Sequence, residues 1–83
     1  ADLSIANLYR ANLTNANLSR ADLTSAHLNS ANLLDSNLSD ANLTDADLYS
    51  AKLSGARRAN AKLSGARWID ARICAAGSIG ECK

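Results

Sequence analysis

Few side chains in this sequence have chemistry to offer. There are two cysteines, Cys74 and Cys82, one histidine, His27, eight acids and nine Lys or Arg. A structural zinc site takes four Cys or His ligands, and two cysteines with a single, distant histidine do not supply them. A nucleophile needs a base within hydrogen-bond reach. His27 stands between Ala26 and Leu28, which read as core residues, so it reads as a surface substitute for Asn. The carboxylates are dispersed with no pair at catalytic spacing, and no Gly-rich loop marks a phosphate site. The chain is therefore read as a non-enzyme with no catalytic residue, no metal site and no cofactor. Four Asn-Leu-(Ser/Thr) sequons, at Asn12, Asn17, Asn37 and Asn42, read as by-products of a repeating pattern.

The pattern governs everything else. Cutting every five residues from Ala1 gives ADLSI, ANLYR, ANLTN and so on to ARICA and AGSIG, with Ala failing in the first place only at Ser36. Leu holds the third place from Leu3 to Leu53, returns at Leu63, and yields to Arg58, Trp68, Ile73 and Ser78. Such self-similarity marks a repeat architecture. A helix is a poor host, because each five-residue step rotates the Leu stripe by about 140° net and no face stays apolar. One long strand fails too, since an odd repeat sends successive Leu residues to opposite faces. The chain must bend once per unit, so that Ala and Leu point inward each time, and wind as a coil. The Asn, Asp, Ser and Gly at the bends suit this, because they tolerate turn geometry and bond locally to the backbone.

The Ala-(Asp/Asn)-Leu-x-x pattern over residues 1–75 resembles the pentapeptide repeat family, which is bacterial and largely cyanobacterial. The resemblance implies an all-β solenoid, a right-handed quadrilateral parallel β-helix of about four coils, with residues 1–75 forming the column and 76–83 a tail. At ~4.8 Å per coil the column would stand ~20 Å tall. Residues twenty apart then stack. The inner ladders are Leu3, Leu23, Leu43, Leu63; Leu8, Leu28, Leu48, Trp68; Leu13, Leu33, Leu53, Ile73; and Leu18, Leu38, Arg58, Ser78. Arg58 is expected to snorkel to water near the column's end, and Trp68 to cap that end. The ending also resembles the Cys-x7-Cys tails of exported members. Together with Gly77 and Gly80, which permit a tight reversal, it implies a Cys74–Cys82 disulfide. A bridge implies an oxidising compartment, periplasm or thylakoid lumen, and free thiols imply the cytoplasm.

Outward positions carry the candidate surfaces. The formal charge of +1 hides a polarity: residues 1–50 hold Arg10 and Arg20 against six Asp, net −4, and residues 51–83 hold seven Lys or Arg against Asp70 and Glu81, net +5. In the second place, Asn and Asp give way to Lys52, Arg57, Lys62, Arg67 and Arg72, a cationic collar with Arg58 beside it. Tyr9, Asn29, Tyr49 and Ile69 share one outward ladder, and aromatics concentrate at protein interfaces. Ser4, Thr24, Thr44 and Ser64 form a hydroxyl ladder that could order water.

These features point to a structural or protein-interaction module with an unidentified protein partner. Alternatives are a charge-based binder, either a DNA-mimic topoisomerase inhibitor or a binder of an anionic partner, and an ice-binding surface. The DNA mimics of the resembling family are long acidic dimers, whereas this chain is short with a basic end. Nucleic acid is not expected as a partner, because the basic patch is short and lacks interleaved aromatics. No run approaches the roughly 18 apolar residues of a membrane span. The start at Ala1, in phase and without Met, suggests a processed or truncated product. Leu3, Leu8, Leu13 and Leu18 of the first coil could be covered by a second copy, giving a homodimer.

Overall fold

The computed structural model describes residues 2–82. Each five-residue unit builds one corner. Ala6 N–H donates to Leu3 O at 3.0 Å, and Ala46 N–H to Leu43 O at 3.0 Å, closing four-residue turns. The third residue of each turn has positive φ, 61° at Ile5, 57° at Asp35 and 75° at Gly55, which is the type II signature. The second-place Asn or Asp braces the corner. Its Oδ1 accepts the N–H of the fourth-place residue, as in Tyr9 to Asn7 (3.2 Å) and Thr44 to Asn42 (3.1 Å). At Ser4, Thr14, Ser19, Thr24 and Thr44 the hydroxyl also donates to that oxygen, at 2.6 Å for Thr44 and 2.7 Å for Ser4.

A corner every five residues brings the chain round four sides. Parallel pairing links Asp2, Asp22, Asn42 and Lys62 on the first side and Asn7, His27, Asp47 and Arg67 on the second. Asn12, Asn32 and Lys52 pair on the third, and Asn17, Asn37 and Arg57 on the fourth. The result is a right-handed quadrilateral parallel β-helix of about four coils, with extents of 27 × 23 × 21 Å. Coils are stitched by Leu23 N–H to Asn42 O (2.8 Å), Asp45 N–H to Ser64 O (3.0 Å) and Asn42 N–H to Ala21 O (2.9 Å), repeated on every side. Leu23, Leu28, Leu33, Leu38, Leu43, Leu48 and Leu63 are at most 1% exposed. Burying each stabilises by roughly 1.5–3 kcal/mol. Leu3, Leu8, Leu13, Leu18 and Leu53 are partly buried against that core.

Residues 71–75, assigned to the column on their Ala-Arg-Ile pattern, instead run back over its end. Ala71 N–H donates to Trp68 O (3.0 Å), Trp68 N–H to Arg72 O (2.7 Å), and Arg67 pairs antiparallel with Ile73. Residues directly opposite share a face. Ile73 faces outward with Arg67 and is 62% exposed, so it is not the top of an inner Leu ladder. Cys74, opposite Ala66, turns inward and is 2% exposed. A second reversal at Gly77, φ 84°, sends the chain along the first side, where Lys62 pairs antiparallel with Ile79. That register puts Ser78 over Leu63, not in the fourth ladder above Arg58, and its carbonyl accepts Leu63 N–H at 2.9 Å. Cys74 and Cys82 form a disulfide with Cα atoms 4.9 Å apart, tying the two passes together.

Candidate functional site

The collar is a ring. Lys52, Arg57, Lys62 and Arg67 are exposed and occupy the third, fourth, first and second sides in turn, so one cation projects from each side near the C-terminal end. The chain leaves the column after Asp70, and Arg72 pairs with Asp70 at 3.4 Å instead of continuing the ring. Arg67 lies 3.8 Å from Asp47, the residue stacked beneath it. Among the described residues these are the two ion pairs, which leaves Lys52, Arg57 and Lys62 without a carboxylate partner. Lys and Arg carry no acceptor oxygen, so the Asx brace present elsewhere is absent at all four cations.

Arg58 points inward from the fourth side. Its guanidinium reaches across the column end to lie 5.4 Å from the Trp68 ring centroid, on the opposite side, and is half-buried there. Trp68 itself is 6% exposed. The ring face takes up part of the charge that would otherwise need water, so Arg58 belongs to the end structure and not to the exposed collar.

The second side is the aromatic one. Tyr9 and Tyr49 project from its first and third coils with Asn29 between them, and Ile69 follows. The Arg10 guanidinium lies 4.9 Å from the Tyr9 ring and that of Arg67 4.8 Å from the Tyr49 ring, which holds both rings in place. Asn7, Tyr9, His27 and Asn29 line an open depression of about 350 Å³. The sequence columns paired the two tyrosines but gave no sign of this hollow. It arises because the shorter Asn29 stacks above Tyr9, a consequence of the twenty-residue coil.

Elsewhere the outward polar groups serve the turns. The Asp2 carboxyl is held below the usual carboxylate range by the Ser4 hydroxyl and N–H that donate to it. Among the described residues no group of three or more His, Cys, Asp or Glu could hold a metal ion, and no helix is long and apolar enough to cross a membrane.

Such a molecule is a solenoid repeat protein, closed at one end and offering four flat outer faces. The model for pentapeptide repeats matches in eight copies over residues 1–40 and 21–57, and the chain belongs to the pentapeptide repeat family. Among solved structures it is similar to HetL, a pentapeptide repeat protein involved in heterocyst differentiation regulation in the cyanobacterium Nostoc sp. strain PCC 7120. The identity is 38% over 87% of this chain and 36% of that one, with a TM-score of 0.48. It is also similar to Rfr23 from the cyanobacterium Cyanothece 51142, at 46% identity over 72% of this chain and 48% of that one, with a TM-score of 0.41. A third is alr5209 from Nostoc PCC 7120, at 38% identity over 81% and 64% of the two chains, with a TM-score of 0.40. The chain thus spans 36% to 64% of the length of these three proteins. No curated protein matches at significance.

Proposed function

We propose that this chain is a non-enzymatic protein-interaction module whose second side is its contact face. The observation that carries the reading is the pair of exposed, guanidinium-stacked rings, Tyr9 and Tyr49, flanking the hollow at His27 and Asn29. Rigid aromatics lose little entropy on docking, and Tyr and Arg together are typical of the residues that dominate interface energies. The hydroxyl ladder favours this reading over ice binding. The hydroxyl protons of Ser4, Thr24 and Thr44 are engaged by Asp2, Asp22 and Asn42, so they are not offered to a water lattice. The test is a photo-crosslinking amino acid placed at Tyr49 and, as control, at Ser39 on the fourth side, in the source cell. A discrete protein adduct is expected at 49 and absent at 39. Equal adducts at both positions, or none at 49, would overturn the assignment.

A further inference from the structure

We propose that the open part of the C-terminal rim, residues 51–58, docks an extended acidic peptide segment of a partner protein, which pairs along the third side of the column and bends round the corner onto the fourth. The tail is hydrogen-bonded to the rim along only two sides, with Gly80 also packed against Arg58 and Asn60 at the corner between the fourth side and the first. Gly80 N–H donates to Ala61 O (2.8 Å) and Leu63 N–H to Ser78 O (2.9 Å) on the first side, and Cys74 N–H donates to Ala66 O (2.8 Å) on the second. On the third side, and round the corner into the fourth, the chain that would have continued the column has already turned away.

The groups left there have the register of a strand edge. Among the described residues, the N–H groups of Leu53, Gly55 and Arg58 and the carbonyls of Ala51 and Ala56 have no hydrogen-bond partner. One coil below, every equivalent group is paired. Leu33 N–H reaches Lys52 O (2.8 Å), Asp35 N–H reaches Ser54 O (3.0 Å) and Leu38 N–H reaches Arg57 O (2.7 Å), while Ala31 O and Ser36 O each accept at 2.9 Å. Side chains repeat the contrast: Leu33 and Ser36 are 0% exposed, whereas Leu53 and Ala56 above them are only partly buried. The tail shows that an antiparallel strand can pair with this same rim. Unpaired strand edges are the usual template for strand addition.

Charge selects the occupant. Lys52 and Arg57 flank the rim, have no carboxylate partner among the described residues, and stack on neutral Asn32 and Asn37. Free donors outnumber free acceptors, which favours a ligand rich in acceptor oxygens. The carbonyls of Ala51 and Ala56 need N–H donors in return, which a peptide backbone supplies and a phosphate backbone does not. The Asp35 carboxylate lies against Gly55 just below the rim, so acidic side chains should align with Lys52 and Arg57. The proposal does not rest on the aromatic second side, and either can fail alone.

The experiment follows amide hydrogen exchange of the whole chain by NMR, with a capped octapeptide of alternating Glu and Val as the probe. Exchange at Leu53, Gly55 and Arg58 should slow at least tenfold in the bound state, with no change at Leu33 or Leu38. The Lys52→Glu, Arg57→Glu double variant, which changes two exposed side chains, should bind at least tenfold more weakly. Asp35→Asn should bind more tightly. A Lys-Val peptide, or a Glu-Val peptide with alternate backbone amides N-methylated, should give no protection. Absence of protection with the Glu-Val peptide would overturn the proposal. So would equal binding of the N-methylated peptide, or equal protection by a DNA duplex, either of which would show a general polyanion patch.

Discussion

At the scale of single residues, the departures from the repeat carry the most information. Ser36 stands where Ala is otherwise found, is 0% exposed, and its Oγ has no hydrogen-bond partner among the described residues. Burying an unpaired hydroxyl costs about 1–3 kcal/mol. Ser36→Ala should therefore raise the unfolding free energy by that order, read from urea denaturation with an unchanged slope. The cations of the collar are a second departure, because each removes an Asx brace. Lys62→Asn should restore an Oδ1 acceptor for the N–H of Ser64 and stabilise by about 0.5–1.5 kcal/mol. A fall in melting temperature in that variant would mean that the Lys62 stem packs more usefully than its charge suggests.

At the scale of the corner and the cap, Gly55 and Trp68 are the residues to change. Gly55 has φ 75°, and the Asp35 carboxylate occupies the space a Cβ would take. Gly55→Ala should cost about 1–2 kcal/mol for the left-handed backbone alone, with more for displacing Asp35. Adding Asp35→Ala, which removes the carboxylate and keeps a Cβ at φ 57°, should recover the second part and leave the first. Trp68 closes the column end, with the Arg58 guanidinium resting on its ring. Truncating a large buried ring costs about 3–5 kcal/mol, so Trp68→Ala should lower the melting temperature substantially and promote association through the opened end. A variant that kept the parent's melting temperature and association state would show that the tail caps the column without it.

For the molecule as a whole, small size makes the covalent tie important. The Cys74–Cys82 bridge closes a loop with a sequence separation of 8. In the chain-entropy picture this stabilises by about 2.5 kcal/mol, a large share of what a domain this small holds in total. Reduction should lower the unfolding free energy by that amount and first release hydrogen-exchange protection at Leu63 and Gly65, whose N–H groups donate to Ser78 O and Cys74 O. Alkylation of the native protein without reductant should label no cysteine. Two labelled thiols would remove both the bridge and the inference of an oxidising compartment.

The five-residue period excluded a helix and a flat strand by itself, because only a chain that bends once per unit keeps Ala and Leu on one inner surface. The Asn and Asp of the second place foretold local bracing, since their oxygens sit one short step from the N–H of the fourth residue. The sequence also separated the charges, because a solenoid maps position along the chain onto height in the column. The point where winding stops was decided only in three dimensions. Ala71, Arg72 and Ile73 read like another unit, yet the turn at Trp68–Ala71 reverses the chain. Reversal changes parallel stacking into antiparallel pairing, which sends Ile73 outward and Cys74 and Ser78 inward. The reach of Arg58 to Trp68 and the open rim at 51–58 follow from where the winding ends, and the hollow beside Tyr9 follows from the stacking of Asn29 above it. Each depends on residues of different coils or opposite sides meeting in space, which no pattern within one repeat encodes.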